Sequence, residues 1–382
     1  MFFKNSLFRF IHSHVINYPT PSNINYFWNF GFISVFCLGI QILSGIFLAM
    51  QYTPHIDYAF LSVERINRDV NTGWWMRYLH ANGASFFFIS VYIHIFRGLY
   101  FGSYIFPREM VWVFGILILF LMIITAFLGY ILPFGQMSLW GAMVITNLAS
   151  AIPFIGNNLV LWLWGNFCVE NSTLNRFFSL HYVLPFVITS LTIIHLAFLH
   201  KNGSNNGLGI SSTIDKINIY PYFILKDFLG VSIFLLIFMI FVFYFPNYLN
   251  HSDNYIKANP LITPALISPE WYFLVFYAIL RSVPHKLAGV ILMLCSIFIL
   301  FLLPWLNGFE IKSARFRPFY KIIYWFFFFC CLILGWIGSM PIENPYLFLG
   351  QSASIYYFIY FLLLTPLLGY LENSMVFINF KY

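Results

Sequence analysis

Residues 77–97, RYLHANGASFFFISVYIHIFR, place two histidines inside one apolar run. His80 and His94 are 14 residues apart, and because a helix has 3.6 residues per turn, both side chains lie on one helix face. Ionisable groups inside a membrane span are costly, so each is a candidate for function. A second apolar run repeats the spacing with His181 and His195.

The composition of the chain indicates a lipid environment. Of 382 residues, 61% are hydrophobic and 8% charged, whereas a soluble domain carries about a quarter charged residues. Eight runs reach the roughly 20 helical residues needed to cross the hydrocarbon. We name them spans A to H, at 30–50, 75–101, 111–132, 178–199, 228–245, 287–305, 322–340 and 355–370. The predicted fold is an all-α membrane protein with eight transmembrane helices, the first four forming a four-helix bundle.

The four histidines form two predicted pairs. One span separates B from D, so B and D run parallel, which pairs His80 with His181 and His94 with His195. The pairs are about 21 Å apart along the helix axis, one in each half of a core about 30 Å thick. Facing imidazoles suit haem iron or another late metal. The structural alternative is that each histidine only hydrogen-bonds a neighbouring helix.

Glycines at the same repeat favour haem. Gly31 and Gly45 in span A, and Gly115 and Gly129 in span C, are also 14 residues apart. A glycine lets a helix backbone approach a flat macrocycle. With histidine at both axial positions the iron has no open site, which indicates electron transfer rather than oxygen chemistry.

One arginine flanks a histidine on each side of the membrane. Arg77 precedes His80 by three residues, and Arg97 follows His94 by three. Haem propionates could accept bidentate hydrogen bonds from them. Ordinary snorkelling towards the surface explains the spacing equally well.

Lys and Arg residues predict the orientation. The side that holds both termini carries twelve of the 19 Lys and Arg residues, and the other side carries the remaining seven. The positive-inside rule then puts both termini on the negative side. The long C–D and E–F connections fall on the positive side, and connections this long are usually functional. Each contains a short helical pattern, at 137–150 and 269–281, that we expect at the membrane interface.

Two loops contain candidates for proton chemistry. Ser268-Pro269-Glu270 is a good helix start, with Ser268 as N-cap and an acid near the positive end of the dipole. The functional alternative is that Glu270 accepts a quinol proton. The D–E loop holds His200, Ser204, Lys226 and Asp227. Of these, the titratable His200 and Asp227 could supply protons to a reduced quinone, although a hydrated loop explains them as well.

Nine stretches spread over the chain carry a resemblance to a known family. They are Asp57-Tyr-Ala-Phe, Arg77-Tyr-Leu-His-Ala-Asn-Gly-Ala, Phe96-Arg-Gly-Leu-Tyr, Gly135-Gln-Met-Ser, Trp140-Gly-Ala, Ser150-Ala-Ile-Pro, Leu174-Asn-Arg-Phe-Phe-Ser-Leu-His, Gly203-Ser-Asn-Asn and Pro269-Glu-Trp-Tyr. With them the chain resembles the cytochrome b family, the haem-bearing core of ubiquinol–cytochrome c oxidoreductase (respiratory complex III). Phe134, Lys201 and His285 depart from the usual pattern of that family.

The resemblance implies two b haems and a proton-motive Q cycle. His80 and His181 would ligate the low-potential haem, and His94 and His195 the high-potential haem. Quinol would be oxidised on the positive side, near Glu270, Tyr277 and the helix at 137–150. The resemblance also implies that quinone is reduced on the negative side, at His200, Ser204 and Asp227.

The implied partners are the Rieske iron–sulfur protein, cytochrome c1 and accessory subunits of a homodimeric complex, with membrane lipids and ubiquinone. The compact chain is typical of a mitochondrial inner-membrane protein with both termini in the matrix; a bacterial plasma membrane is the alternative. We expect a di-haem bundle at 1–205 and a second membrane region, with the quinol-site loop and spans E to H, at 206–382. Because the net charge of +7 is spread over loops, we expect no nucleic-acid partner.

Two other classes of protein remain open from the residues alone. A transporter with intramembrane histidines would show unwound or charged segments within its spans. A two-haem membrane anchor for a soluble dehydrogenase would not need the Pro269-Glu-Trp-Tyr motif.

Overall fold

The computed structural model describes residue 9 and residues 12–306 and 308–379. Within those residues eight helices are long and apolar enough to cross a membrane, which confirms the predicted number. They are span A at Tyr26–Ala49, B at Gly73–Phe101, C at Glu109–Ile131, D at Asn171–Asn202, E at Tyr222–Tyr244, F at Lys286–Leu306, G at Pro318–Gly338 and H at Tyr346–Met375. Span D begins earlier than hydropathy predicts because Glu170 and Thr173 form a capping box at its first turn.

Spans A to D pack together as the sequence predicts. Span C lies along span D, span A lies along span B, and A also contacts D. Span E covers A and B, span F packs against C, and G packs against H. The core of the bundle is aromatic and aliphatic, with Phe88, Ile116 and Leu119 almost completely buried. This packing aligns the faces of B and D that carry the histidines.

The short helices predicted in the two long connections are both present, and one prediction about where they begin is wrong. Between C and D, Gln136–Asn147 and a 3-10 turn at Leu148–Ala151 match the predicted helix, but the next helix, Gly156–Trp164, is not predicted. Between E and F, a 3-10 turn at Ser252–Tyr255 comes first, and the predicted helix begins with a second turn at Trp271–Phe273, followed by Leu274–Arg281. The helix start predicted at Ser268 is therefore wrong. The backbone of Glu270 is extended, with ψ of 152°, and its side chain makes no capping hydrogen bond.

Sequence patterning also misses the elements outside the bundle. Ala59–Arg68 forms a helix between spans A and B, too short and too charged to stand out by hydropathy. Strand β1, Pro19–Pro21, pairs antiparallel with strand β2, Lys216–Asn218. We call residues 12–25 the strap, because β1 ties this segment to the D–E connection.

A buried ion pair joins the last span to the start of span G. Arg317 Nε donates to Glu372 Oε2 at 2.7 Å, and both side chains are buried. Glu372 Oε1 accepts hydrogen bonds from the backbone N–H groups of Phe319 and Tyr320, at 3.1 and 3.0 Å. These donors have no partner within the first turn of a helix. A carboxylate is also favourable at the positive end of the helix dipole.

Candidate functional site

Two pairs of histidine rings face each other between spans B and D, as the 14-residue spacing predicts. The ring centroids of His80 and His181 are 6.2 Å apart, and those of His94 and His195 are 6.5 Å apart. Two metal–nitrogen bonds of about 2 Å, together with the two ring radii, require a separation of about 6.4 Å. Each pair therefore leaves room for one metal atom between its rings.

Each of the four histidine rings lies against one of the four predicted glycines. A Cβ built on the glycine would approach the Cε1 atom of the ring: at 3.1 Å for Gly31 to His94 and for Gly45 to His80, at 3.2 Å for Gly115 to His195, and closer still for Gly129 to His181. The glycines therefore make room for the histidine rings themselves. That each glycine also faces a macrocycle stays a prediction.

Hydrogen bonds at Nδ1 orient the first pair of rings. Nδ1 of His181 lies 2.8 Å from the carbonyl oxygen of Thr125. Nδ1 of His80 lies 2.9 Å from Ser44 Oγ, and the Ser44 hydroxyl donates its own hydrogen to the Ile40 carbonyl at 2.6 Å. Both oxygens then accept, so Nδ1 carries the hydrogen in each ring. The lone pair is left on Nε2, which is the tautomer that a metal ligand needs.

The flanking arginines lie beside the histidines. Arg77 lines the same cavity as His80. The Arg97 guanidinium donates to Nδ1 of His94 at 3.0 Å and lies 5.1 Å from the centre of the Trp28 ring. Its Nε is buried without a hydrogen-bond partner. A buried donor with no partner beside the ring favours an anionic group as its partner over simple snorkelling.

A cavity of about 230 Å³ extends from the His80–His181 pair to Glu270. Glu270 is 9% exposed, and its Oε1 has no hydrogen-bond partner. Burial raises the pKa of Glu270 to about 7. The nearby Tyr130 hydroxyl partly offsets this rise in the pKa of Glu270, and it is buried without a hydrogen-bond partner of its own. A carboxyl that is buried, unpaired and titratable near neutral pH is suited to accepting a proton.

Glu270 also borders a second, smaller cavity, which Tyr277 lines. The short helix between C and D contributes Met137 and Gly141 to its wall. The Tyr277 hydroxyl donates to the carbonyl oxygen of Ile267 at 3.2 Å. The structure therefore brings together Glu270, Tyr277 and the predicted C–D helix.

The candidates of the D–E loop lie at the end of the bundle opposite to Glu270, where the strap contacts the end of span D and the start of span E. His200, near the end of span D, stacks on Tyr18 of the strap with ring centroids 4.3 Å apart. Asp227 is half-buried near the start of span E, and the neighbouring Lys226 donates to the carbonyl oxygen of Ile24 at 2.6 Å. Ser204 follows span D and is also half-buried.

Sequence reasoning missed several side chains of these sites. Ser44 is a polar residue next to Gly45 in an apolar span, so its position was a signal that could have found it. Tyr130 looks like any aromatic residue at the end of a span. Tyr18 belongs to the strap, and no periodicity connects it with span D.

Eight spans and paired imidazoles within one bundle are typical of membrane proteins that hold haem between helices. Comparison with known proteins identifies the group. Residues 15–203 match the family model described as "Cytochrome b/b6/petB", and residues 257–358 match "Cytochrome b(C-terminal)/b6/petD". The chain belongs to the cytochrome b family.

Individual relatives match over nearly their whole length. Cytochrome b of Chondrus crispus is 64% identical over 375 residues, 98% of each chain. Cytochrome b of Cyanidium caldarium is 58% identical over 100% of this chain and 98% of the relative. Cytochrome b of Rickettsia bellii is 56% identical over 98% and 94%. A chain of a solved structure titled "Hyperthermophilic respiratory Complex III" superposes with a TM-score of 0.92 at 34% identity, over 97% of this chain and 98% of the other.

Proposed function

We propose that the chain carries electrons across the membrane through two b haems, one held by His80 and His181 and the other by His94 and His195. As a cytochrome b it is the electron-transferring core subunit of ubiquinol–cytochrome c oxidoreductase, respiratory complex III, and haem b is the cofactor of its family. The alternatives of a transporter and of a dehydrogenase anchor are thereby dropped. The observation that carries the proposal is the pair of ring separations, 6.2 and 6.5 Å.

The ring separation fits a haem at both pairs, and the hydrogen bonds at Nδ1 fit one at the first pair. When bound, each haem supplies a one-electron redox centre with no open coordination position. Ser44 and the Thr125 carbonyl accept from Nδ1 of His80 and of His181, which leaves the Nε2 lone pair of each ring for a metal. Arg77 and Arg97 supply guanidinium groups for propionates. His80 and His181 would serve the low-potential haem, and His94 and His195 the high-potential haem.

Quinol oxidation is proposed in the smaller cavity, which Glu270 and Tyr277 line. A quinol gives up two electrons and two protons when it is oxidised. The Glu270 carboxylate accepts one of the protons, since its Oε1 is unpaired in the folded chain. Tyr277 holds the wall of the cavity through its hydrogen bond to Ile267. One electron leaves to the Rieske iron–sulfur protein and cytochrome c1, and the other crosses the membrane, as in a Q cycle.

Quinone reduction is proposed at the opposite end of the bundle, among His200, Ser204 and Asp227. His200 and Asp227 are the proton donors in this proposal, and the Ser204 hydroxyl binds a quinone oxygen. Support comes from their positions near the ends of spans D and E, with His195 five residues before His200. Ubiquinone is the proposed substrate of both sites.

Assembly and location follow the same proposal. Complex III membership brings other subunits, which we propose include the Rieske protein, cytochrome c1 and accessory subunits in a homodimeric complex. We place the chain in the mitochondrial inner membrane with both termini in the matrix. Its di-haem part is residues 1–205, and residues 206–382 provide the quinol-site loop and the remaining spans.

Redox spectroscopy of single histidine variants tests the haem assignment. We expect His94→Leu and His195→Leu each to lose one b-type transition and to keep the other, because the two pairs are separate. His285→Leu is the matched control, since this histidine is exposed and lies outside the spans. If both transitions survive in His94→Leu and His195→Leu, those residues are not ligands and the proposal fails.

A further inference from the structure

The strap crosses the end of the bundle where quinone reduction is proposed. Strand β1 pairs with β2 in the D–E connection. Ser22 Oγ donates to Asp215 Oδ2 at 2.7 Å, and Lys226 Nζ donates to the Ile24 carbonyl. These contacts fix the strap against the D–E connection and span E, so its side chains have defined positions over the site.

Two rings of the strap stack on His200. Besides Tyr18, the ring of His14 lies with its centroid 5.6 Å from that of His200, and the two imidazole planes differ by 13°. The Tyr18 hydroxyl also donates to the backbone carbonyl of His200 at 3.4 Å. His14 Nδ1 lies 2.9 Å from Oγ of the exposed Ser13. His14 therefore lies between a hydroxyl that faces solvent and the proposed proton donor.

The charges around these rings are mostly positive. Arg108 donates to the Gly203 carbonyl at 2.8 Å, and a Cβ built on Gly203 would lie 4.0 Å from Lys216 Nζ and 3.6 Å from the Tyr18 hydroxyl. The charged and titratable groups on the segments that meet here are His12, Tyr18, Arg108, Lys201, Asp215, Lys216, Lys226 and Asp227. Two imidazolium rings this close repel each other. The pair is thus suited to hold one proton and to pass it between its members.

We propose that His14 is the proton-relay partner of His200 and positions its ring at the quinone-reduction site. This inference rests on the proposed site. Reduction of one quinone to quinol takes up two electrons, delivered by the chain's electron-transfer activity, and two protons. When His200 gives a proton to a quinone oxygen, an O–H bond forms and an imidazole N–H bond breaks. His14 then reprotonates His200 through a water molecule that bridges their ring nitrogens, and it takes a proton from water on the Ser13 side.

Two substitutions of His14 separate the relay from the packing. Phe at position 14 keeps a flat ring for stacking but cannot carry a proton, whereas Ala removes both. His12→Phe is the matched control, because His12 lies in the same single helical turn, His12–Ile16. The assay uses the assembled complex in its membrane. It follows reoxidation of the reduced b-type signal by a short-chain ubiquinone as a function of pH.

We expect His14→Phe to slow reoxidation by at least about threefold, with a smaller effect at low pH, where His200 is refilled directly from water. Haem content and quinol oxidation should stay normal, and His12→Phe should match the unmodified chain. An unchanged rate and pH profile in His14→Phe would overturn the relay, as would a defect in His14→Ala alone, which indicates packing. A normal rate in His200→Ala would instead refute the quinone-reduction site itself.

Discussion

Replacing Gly129 with alanine tests the fit between a glycine and a histidine ligand. A Cβ at this position would lie 2.9 Å from Nδ1 and 3.0 Å from Nε2 of His181, and closer still to Cε1. Ordinary contacts need about 3.5–4.0 Å, so the ring has to retreat by about 1 Å. Metal–ligand distances tolerate only about 0.2 Å. We therefore expect Gly129→Ala to lose the haem held by His80 and His181 and to keep the other.

A second glycine and a control position give smaller expected effects for comparison. At Gly115 the nearest ring atom would be 3.2 Å away, so a shift of a few tenths of an ångström should weaken or retune the haem at His195 without removing it. Gly39 lies in span A with nothing within 4 Å of its built Cβ. Alanine there should be neutral or stabilise the helix by about 0.5–1 kcal/mol. Redox difference spectra of isolated membranes measure all three variants. Two normal transitions in Gly129→Ala would refute the argument.

Three further results are expected. Ser44→Ala removes the oxygen that accepts the Nδ1 hydrogen of His80 and makes the imidazole a weaker electron donor to the metal. A potentiometric titration should therefore show the potential of that haem raised, by about 59 mV for each tenfold change in the affinity of the site for oxidised relative to reduced iron. Because burial raises the pKa of Glu270 to about 7, its carboxylate form appears as pH rises; quinol oxidation should rise through about pH 7, and Glu270→Gln should be slow and lack that rise. Arg317→Leu leaves the buried Glu372 carboxylate without its cationic partner and should lower the free energy of unfolding by about 3–5 kcal/mol. An unchanged midpoint of thermal unfolding would contradict this.

The spans and their histidines were predictable because both depend on local spacing. Apolar runs must match the bilayer thickness, and a repeat of 14 residues puts His80 and His94 on one helix face. The glycines were found by the same repeat, although their contact with the rings was not foreseen. These features need no knowledge of how distant segments meet.

Features that depend on distant segments were not predictable. Burial under elements far along the chain raises the pKa of the Glu270 carboxyl. The helix-start interpretation failed because the first turn begins only at Trp271, so that Ser268 and Pro269 lie outside it. The strap meets His200 through the rings of Tyr18 and His14, and the strands β1 and β2 that hold it there are too short to show a pattern. The pairing of Arg317 with Glu372 joins two polar residues that look like ordinary surface charges in the sequence.

The pairing of β1 with β2 sets an order of events during synthesis. Pro19 is opposite Asn218, so the strap cannot take up its final position until the ribosome has made the whole D–E connection. By then all four histidines of the two facing pairs have been synthesised, and spans A to D are available to assemble. A contact between such distant segments forms late, because its loop-closure cost is offset only after the intervening chain has packed. The strap is thus added over His200 to a bundle that already contains both histidine pairs.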